Sequence, residues 1–286
     1  MPVLYVVATP IGNLGDMAPR AADTLRAVDL IVAEDTRVTK KLLSAFDIHT
    51  PLVSCHRHNE AEKGPALADK ILENDMSAAL VTDAGTPGVS DPGWGLVSAC
   101  AARGIPVIPV PGCCAAAAAL SVSGFDTREF AFYGFLPREQ KARREKLRSL
   151  PSGPPVAVLY ESPFRLTELL RDIRSELPKA VLLVCGEMTK AHEKSFRGSA
   201  ADVLAALEDR PDAVRGEFCI ALDLHGETPA QPTETDTPAA SVEARLADAL
   251  CGGMDLRTAQ DALIAAGIKK NAVKQAALRL KKALQI

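Results

Sequence analysis

The chain has 286 residues, of which 47% are hydrophobic and 24% are charged, and its formal net charge is −3. This length predicts about two domains, and the hydrophobic fraction is ample for their cores. The slightly acidic balance gives no global reason to expect a nucleic-acid partner, so any basic surface must be local.

The cysteines indicate buried free thiols and not a metal or redox site. No Cys-x-x-Cys spacing occurs, and Cys185 and Cys219 lie in apolar, strand-like runs. We therefore expect no bound metal and a reducing, cytoplasmic compartment. The run 3–8 is too short for a signal sequence, and no stretch of about 18 or more apolar residues predicts a membrane span.

Short runs rich in Val, Ile and Leu alternate with helical patterns along the first 120 residues. The runs lie at 3–8, 29–33, 52–54, 78–82 and 105–110, and the helical patterns at 18–28, 60–73 and 93–103. Asp16 is the expected cap of the first helix, with Pro19 in its first turn. Alternating β and α segments predict a mainly parallel sheet covered by helices, which binds ligands at the carboxyl ends of its strands.

A second α/β stretch follows a boundary near residues 123–126. Its predicted strands lie at 130–135, 156–160, 180–185 and 217–224, and its predicted helices at 138–149, 163–177 and 199–208. Residues 226–240, rich in Pro and Thr, read as a linker. The sequence therefore predicts α/β domains at 1–123 and 124–225, a linker at 226–240, and a small basic domain of two or three helices at 241–286.

The loop at 81–93 is the most informative segment. It follows an apolar strand, precedes a helix, and contains glycines, prolines, two aspartates and two Ser/Thr side chains besides Thr82. An elaborate turn with Ser90 or Asp91 as helix cap is the simpler interpretation, but a turn needs only about four such residues. We therefore favour a binding loop. It is neither a P-loop nor a GxGxxG motif.

Two further loops, at 9–16 and 109–114, also join a strand to the segment that follows it and are rich in Gly and Pro. Each alone could be a simple turn. In a parallel sheet, however, all three loops lie on the same edge, and together they favour a ligand cleft.

The order and spacing of several segments resemble the tetrapyrrole-methylase superfamily and, within it, the ribosomal RNA small subunit methyltransferase I family. These segments lie at 5–16, 33–37, 54–62, 82–93, 109–112, 134–137 and 160–163. The resemblance covers residues 3–225. It implies an α/β, two-domain tetrapyrrole-methylase-like (class III methyltransferase) fold with a small helical C-terminal extension. It also implies a homodimer that uses S-adenosylmethionine to methylate the ribose 2′-hydroxyl of a cytidine in the decoding region of 16S rRNA, within the 30S subunit.

The resemblance implies cofactor contacts from both halves of the chain, at the positions that match the cofactor-binding positions of the family. These residues are Pro10, Asp83, Gly85, Thr86, Val89, Ser90, Gly112, Cys114, Ala115, Leu136, Tyr160 and Glu161. The chain departs from the family at Cys113-Cys114, where relatives commonly have Pro-Ser. A small side chain with backbone contacts can still serve there, but a hydroxyl contact cannot form.

A ribose hydroxyl is a poor nucleophile until its proton is removed, so the reaction calls for a base or a polarising group. The expected binding edge offers four catalytic candidates, among which the sequence does not choose: Glu34, Asp35, His56 and Glu60. Arg37 is placed to hold a phosphate. The alternative role is helix capping, by Asp35 or Thr36 for a helix at 37–45 and by Asn59 for the helix at 60–73.

Local basic clusters indicate RNA as the substrate. The residues expected to bind it are Arg37, Arg138, Lys141, Arg143, Arg144, Lys146, Lys190, Lys269, Lys270 and Lys274. A solvated helix face is the usual explanation of such clusters, yet they also suit phosphate neutralisation. The clusters are nearly free of aromatic residues, which favours recognition of RNA shape over base stacking.

Two alternative functions remain open at this point. A methyltransferase acting on a tetrapyrrole or another small molecule would require neither the basic clusters nor the C-terminal helices. A non-catalytic RNA-binding ribosome-assembly factor would not require the cleft loops.

Overall fold

The computed structural model describes residues 1–209, 216–228 and 241–284. The chain divides into two compact units, Met1–Pro229 and Ala230–Ile286. The first unit contains both α/β stretches, and the second contains the C-terminal helices. Most of the predicted linker falls on residues 229–240, which lie outside the described ranges. No helix in those ranges is long and apolar enough to cross a membrane.

The first sheet is parallel, as the alternating pattern predicted. Its strands are β1 (Val3–Val7), β2 (Leu30–Ala33), β3 (Leu52–Ser54), β4 (Ser77–Val81) and β5 (Val107–Val110). They lie in the order β3-β2-β4-β1-β5. The helices between and after them are α1 (Pro19–Ala27), α2 (Thr36–Ala45), α3 (Glu60–Glu73), α4 (Trp94–Ala102) and α5 (Ala115–Ser123). The predicted Asp16 cap is wrong, because Ala18 is the N-cap of α1 and Asp16 ends a short 3₁₀ turn.

The second sheet is mixed. Its strands are β6 (Phe130–Phe135), β7 (Val156–Glu161), β8 (Val181–Gly186), β9 (Lys194–Gly198) and β10 (Phe218–Asp223), in the order β6-β7-β10-β8-β9. Only β6 and β7 pair in parallel within this described sheet. The sequence did not predict β9, an edge strand that carries Lys194 and Arg197. Cys185 and Cys219 are buried and free, as predicted.

Helix α5, which follows the last strand of the first sheet, packs against the second sheet. The shared core contains Ala116, Ala119 and Leu120 of the helix and Val156, Val158, Leu183 and Ala221 of the sheet. Alanine side chains let a helix approach a sheet closely because they add almost no bulk. The alanine-rich run therefore joins the two halves of the first unit.

Residues of the second sheet also bind both ends of α5. At the N-terminal end, the Ala116 amide donates a hydrogen bond to the Tyr160 hydroxyl oxygen over 3.2 Å. At the C-terminal end, the Arg197 guanidinium donates to the carbonyls of Val122 and Ser123. These contacts satisfy helix-end groups that have no partner within the helix, and a cation suits the C-terminal end of the helix dipole.

The basic helix α6 (Gln140–Ser149) is largely neutralised by α7 (Pro163–Glu176). Arg143 is 2% exposed and lies 2.7 Å from the Asp172 carboxylate, and Arg144 donates to the same carboxylate over 2.7 Å. Although burial opposes it, hydrogen bonds from Arg144 and Arg143 hold the pKa of Asp172 below its ordinary value. Arg148 pairs with Glu176 at 3.0 Å. The structure thus gives Arg143 a structural role in place of the RNA contact expected from sequence.

The second unit contains α9 (Val242–Cys251), α10 (Leu256–Ala265) and α11 (Lys270–Leu284), after α8 (Ala200–Glu208) of the first unit. Its small core is formed by Leu246, Ala259, Ala276 and Ala277. Lys269, Lys270 and Lys274 are exposed at its surface. The unit is therefore helical and presents a basic surface, as the sequence indicated.

Replacing Arg143 with Ala should lower the free energy of unfolding by about 3–5 kcal/mol, because it leaves the buried Asp172 carboxylate with a weaker set of partners. The matched control is Lys141→Ala, an exposed lysine on the same helix, which should change stability by less than about 0.5 kcal/mol. Urea unfolding of both variants checks this. Equal stability of the two variants would contradict the structural role of Arg143.

Candidate active site

The three Gly- and Pro-rich loops of the first half meet at one edge of the first sheet, as predicted. Thr9 and Gly85 exchange backbone hydrogen bonds of 2.8 and 3.1 Å, which ties the first loop to the second. The Thr86 hydroxyl donates to the Cys113 carbonyl over 3.0 Å, which ties the second loop to the third. The loops therefore form one continuous surface at the carboxyl ends of β1, β4 and β5.

The second sheet supplies the opposite wall. A bulge at Tyr133 shifts the register of β6 on β7, and Gly134 adopts a φ of +60° that favours glycine. A side chain on Gly134 would also lie only 3.0 Å from the Ser90 hydroxyl of the facing loop. The bulge directs Phe135 to the cavity, which has a volume of about 280 Å³ and which we call the cleft.

Most of the cofactor residues expected from the resemblance line the cleft. Those on its wall are Asp83, Gly85, Thr86, Val89, Ser90, Cys114, Ala115, Tyr160 and Glu161. Pro10, Gly112 and Leu136 are not on the wall, but each lies within two residues of one that is. Of these three, Leu136 is buried in the core of the second half.

A segment that follows β8 approaches the first loop above the cleft. Met188 and Lys190 line the cleft, and Lys190 pairs with Glu187 at 2.8 Å. A Cβ on Gly12 would lie 2.5 Å from the Lys190 side chain, so glycine is required for this close approach. Lys190, expected to bind RNA, therefore stands in the cleft wall with a carboxylate partner.

Carboxylates dominate the charge of the cleft: Glu34, Asp83, Asp91, Glu161, Glu187 and Glu217. Burial, together with repulsion from Glu34 and Glu217, raises the pKa of Asp91 to about 6. Burial and the neighbouring Asp83 raise the pKa of Glu34 above its ordinary value. Crowded carboxylates of this kind favour a cationic ligand, because its charge relieves their repulsion.

Glu161 is the most deeply buried of these groups. Its Oε1 atom accepts a 2.8 Å hydrogen bond from the Ser162 amide, whereas its Oε2 atom has no hydrogen-bond partner. The Arg165 guanidinium lies 3.3 Å from that atom and balances its charge. A buried carboxylate oxygen in a cavity wall without a donor fits a ligand that brings a hydroxyl or ammonium group.

A second, more open cavity of about 360 Å³ adjoins the cleft. Its lining contains three of the four predicted catalytic residues, Glu34, Asp35 and His56, together with Asp83 and Arg37. Glu34 and Asp83 line both cavities and therefore stand where they meet. This arrangement can place two different ligands on either side of a pair of carboxylates.

Asp35 and Arg37 are bound to each other in the second cavity. The Asp35 carboxylate accepts a 2.8 Å hydrogen bond from the Arg37 amide, which makes it the N-cap of α2, and its Oδ2 atom lies 2.6 Å from the Arg37 guanidinium. These hydrogen bonds lower the pKa of Asp35 to about 2. Asp35 is thus a weak base that orients Arg37, and its capping role was correctly foreseen.

Glu60 lines neither cavity. Its Oε1 atom accepts hydrogen bonds from the Gly93 and Gly95 amides over 2.7 and 2.9 Å, at the N-terminal end of α4. The structure therefore gives Glu60 a capping role in place of the catalytic one expected from sequence. Asn59 occupies the predicted N-cap position of α3, but its side chain bonds His56 and makes no capping hydrogen bond to the helix.

The profile of the Tetrapyrrole (Corrin/Porphyrin) Methylases matches residues 3–204. The chain is 47% identical over 230 residues to Ribosomal RNA small subunit methyltransferase I of Synechocystis sp., covering 80% of this chain and 81% of that protein. It is 40% identical over 279 residues to the protein of the same name from Escherichia coli O157:H7, covering 96% of this chain and 94% of that protein. The chain belongs to this methyltransferase family.

Solved structures of other tetrapyrrole methylases share the fold. Uroporphyrin-III C-methyl transferase from Thermus thermophilus, complexed with S-adenyl homocysteine, aligns with a TM-score of 0.53 at 17% identity, covering 77% of this chain and 96% of that chain. At this identity the likeness concerns the fold alone. It confirms, with the family match, the class III methyltransferase fold predicted from the sequence.

Several residues that line the cleft were not predicted from the sequence as site residues: Ile11, Ala84, Asp91, Phe135, Glu187, Met188, Glu217, Phe218 and Cys219. Most of them lie inside motifs that the sequence did reveal, so naming whole loops would have found them. Glu217, Phe218 and Cys219 carried no such signal. They reach the cleft because β10 lies at the centre of the second sheet.

Replacing Asp91 with Asn should raise the melting temperature of the protein at pH 7–8, because it removes a charge that Glu34 and Glu217 repel. The folded carboxyl keeps its proton up to a pKa of about 6, whereas the unfolded one loses it near about 3.9. Wild-type stability therefore falls as the pH rises between these values, and the advantage of the variant grows over the same range.

Thermal melts from pH 4 to pH 8 without ligand measure this difference. The control is Asp16→Asn, which alters an exposed aspartate outside the cleft lining. An Asp91→Asn advantage that is the same at all pH values would contradict the assignment.

Proposed function

We propose that this protein transfers a methyl group from S-adenosylmethionine to the ribose 2′-hydroxyl of a cytidine in the decoding region of 16S rRNA, acting on the 30S subunit. The single observation that carries the proposal is the acidic cleft that meets an open second cavity at Glu34 and Asp83. The family to which the chain belongs, and the names of its relatives, support the same reaction.

The cleft wall fits S-adenosylmethionine. Glu161 offers a buried acceptor, and the acidic surroundings of Asp91 suit a positively charged molecule. We assign cofactor binding to the predicted wall residues, with Pro10, Gly112 and Leu136 as supports of the loops that carry them. Bound there, S-adenosylmethionine supplies a methyl group on a positively charged sulfur that leaves as a neutral thioether.

Glu34 is the proposed general base. It lies at the junction of the two cavities, and its raised pKa makes it a better proton acceptor than Asp35. Asp83 shares the junction and accepts a hydrogen bond from the Asp35 amide over 3.2 Å. Asp35 orients Arg37, and His56 forms part of the wall that receives the nucleotide. Positioning of the hydroxyl by this cavity contributes further to the rate.

RNA phosphates are bound by exposed or half-exposed cations: Arg37, Arg138, Lys141, Arg144, Lys146, Lys190, Lys269, Lys270 and Lys274. Arg37, Arg144 and Lys190 contribute less than the others, since each already pairs with a carboxylate. Arg143 is excluded from this set because it is buried against Asp172. Such contacts position a folded RNA without reading its sequence.

We further propose that the protein acts as a homodimer in the cytoplasm. The functional division of the chain is 1–123 for the loops of the cofactor site, 124–225 for the facing wall, 226–240 for a linker and 241–286 for a basic RNA-binding domain. These assignments rest on the family resemblance and on the sequence pattern.

The decisive experiment is transfer of labelled methyl from S-adenosylmethionine to 30S subunits that lack the modification. Free rRNA and a reaction without RNA are the controls. Label in the ribose of one cytidine supports the whole proposal. Binding of S-adenosylmethionine without transfer to any RNA would overturn it and would favour a small-molecule substrate.

Replacing Glu34 with Gln should lower kcat by about 10²–10⁴-fold, because the base is lost while its shape is kept. Glu217→Gln is the matched control, since Glu217 lines the cleft but not the second cavity. It should alter cofactor affinity more than kcat. Steady-state kinetics with 30S subunits compare the two, and an equal loss of kcat in both would argue against Glu34 as the base.

The affinity for S-adenosylmethionine should rise from pH 5 to pH 7 as Asp91 ionises near pH 6. Asp91→Asn should remove this rise and weaken binding at pH 7 by about 1 kcal/mol, roughly a fivefold change in Kd. Calorimetric titration measures both effects. Adenosine, which carries no charge, serves as the control ligand and should bind wild type and variant alike.

A further inference from the structure

Two phenylalanines stand exposed on the second half of the first unit. Phe164, the second residue of α7, is 94% exposed, and Phe135, at the end of β6, is 54% exposed. A single exposed apolar side chain needs no explanation. Two aromatic rings on one rim, beside a cavity, are a different case, because they offer a flat apolar surface in water.

Arg165 holds these two positions on the same rim. Its guanidinium donates to the carbonyls of Leu136 and Pro137, both over 3.1 Å. The residue after Phe164 is thereby bound to the two residues after Phe135. Phe135 itself lines the cleft and lies edge-to-face with Tyr160, with ring centroids 5.9 Å apart. The rim is therefore built on fixed backbone and continues directly into the cleft.

The same rim carries cations that the neighbouring helix does not neutralise. Arg138 follows the carbonyls that Arg165 binds, and Lys141 is the second residue of α6. Both are exposed, and neither has an ion-pair partner in the part of the chain that the structure describes. Of the nearby acids, Glu168 lies 3.6 Å from Arg143. Phosphates therefore meet free positive charge here, unlike at Arg143, Arg144 and Arg148 of α6, which pair with acids of α7.

We propose that Phe164 and Phe135 form a stacking platform for an unpaired base of the RNA substrate, next to the target nucleotide. Arg138 and Lys141 bind the adjoining phosphates. This inference rests on the proposed function and deepens it, because it replaces recognition by shape alone with base stacking at one point. Aromatic rings and cations on one surface are the combination that single-stranded RNA requires.

The charge of the rim argues for RNA over a second copy of the chain. A symmetric dimer interface brings the same patch of both subunits together, so it would bring two rims with the unpaired cations Arg138 and Lys141 close to each other. Like charges oppose such a contact, whereas phosphates favour it. A folded RNA with one exposed, unstacked base beside the methylated ribose is the occupant that fits.

The test compares Phe164→Ala, Phe164→Trp and Phe130→Ala. Phe130 is 49% exposed and begins the strand that Phe135 ends, so it lies away from the cleft on the same element. Methyl-transfer kinetics with 30S subunits give KM for RNA and kcat, titration gives Kd for S-adenosylmethionine, and fluorescence of a 16S fragment with 2-aminopurine beside the target cytidine reports stacking.

Phe164→Ala should raise KM for RNA by about 10- to 100-fold and abolish quenching of 2-aminopurine, with Kd for S-adenosylmethionine unchanged. Phe164→Trp should restore both, and Phe130→Ala should match wild type. If the wild type transfers methyl groups to RNA but Phe164→Ala changes neither KM nor quenching, the stacking platform is wrong and the proposed function still stands. A change in sedimentation with unchanged RNA binding also overturns it and assigns the rim to a second copy.

If the wild type transfers no methyl group to RNA, the proposed function fails, and the fluorescence measurement still decides the platform. Quenching by wild type that Phe164→Ala abolishes supports it, and the absence of quenching by wild type refutes it.

Discussion

Helix α5 joins the two sheets, and the shape of the cleft depends on how closely it packs. Its small alanine side chains let it pack closely against β10 and β8. Its two ends are bound by Tyr160 and Arg197 of the second sheet. The N-terminal end of α5 brings its cap residue Cys114 and its first residue Ala115 into the cleft wall. Helix α5 thus packs in the core of the second half of the unit and also contributes to the cleft wall formed by the first half. A larger side chain at Ala119, which is fully buried, would separate the two walls of the cleft.

A concentration of negative charge is the second constraint. Carboxylates in partly buried positions destabilise the protein without a ligand, as the raised pKa values of Asp91, Glu34 and Asp83 indicate. Functional sites commonly retain such strain because it favours binding of a particular charge. Cations are placed where they cancel charge without filling the cavity: Arg165 against Glu161, and Lys190 against Glu187. Among the described carboxylates of the cleft that have no ion pair, Glu34 and Asp83 lie at the junction with the second cavity, where the proposed chemistry takes place.

The sequence predicted the parallel sheet, its loops and most helix bounds, because each depends on residues close together in the chain. Family motifs then located nine of the twelve expected cofactor residues on the cleft wall. The features that the sequence did not predict depend on contacts between residues that lie far apart in the chain. The Arg143 and Glu60 side chains looked functional until the structure placed them against Asp172 and the α4 amides. Strand β9 was hidden in a basic cluster, and Phe164 carried no basic or polar signal at all. Pattern and motif identify elements and loops, whereas pairing across the fold decides which charges remain free.

The acidic wall also bears on turnover. In the proposed cofactor site, methyl transfer would remove the positive charge from sulfur, so the attraction between the wall and the cofactor would weaken when the product forms. Substrate and product forms of the cofactor differ by one methyl group and one charge, and a purely apolar pocket would distinguish them poorly. Carboxylates such as Asp91 distinguish them by charge. In this proposal, repulsion among the same groups would favour release of the demethylated cofactor, so the charge that destabilises the empty cleft would also limit product inhibition.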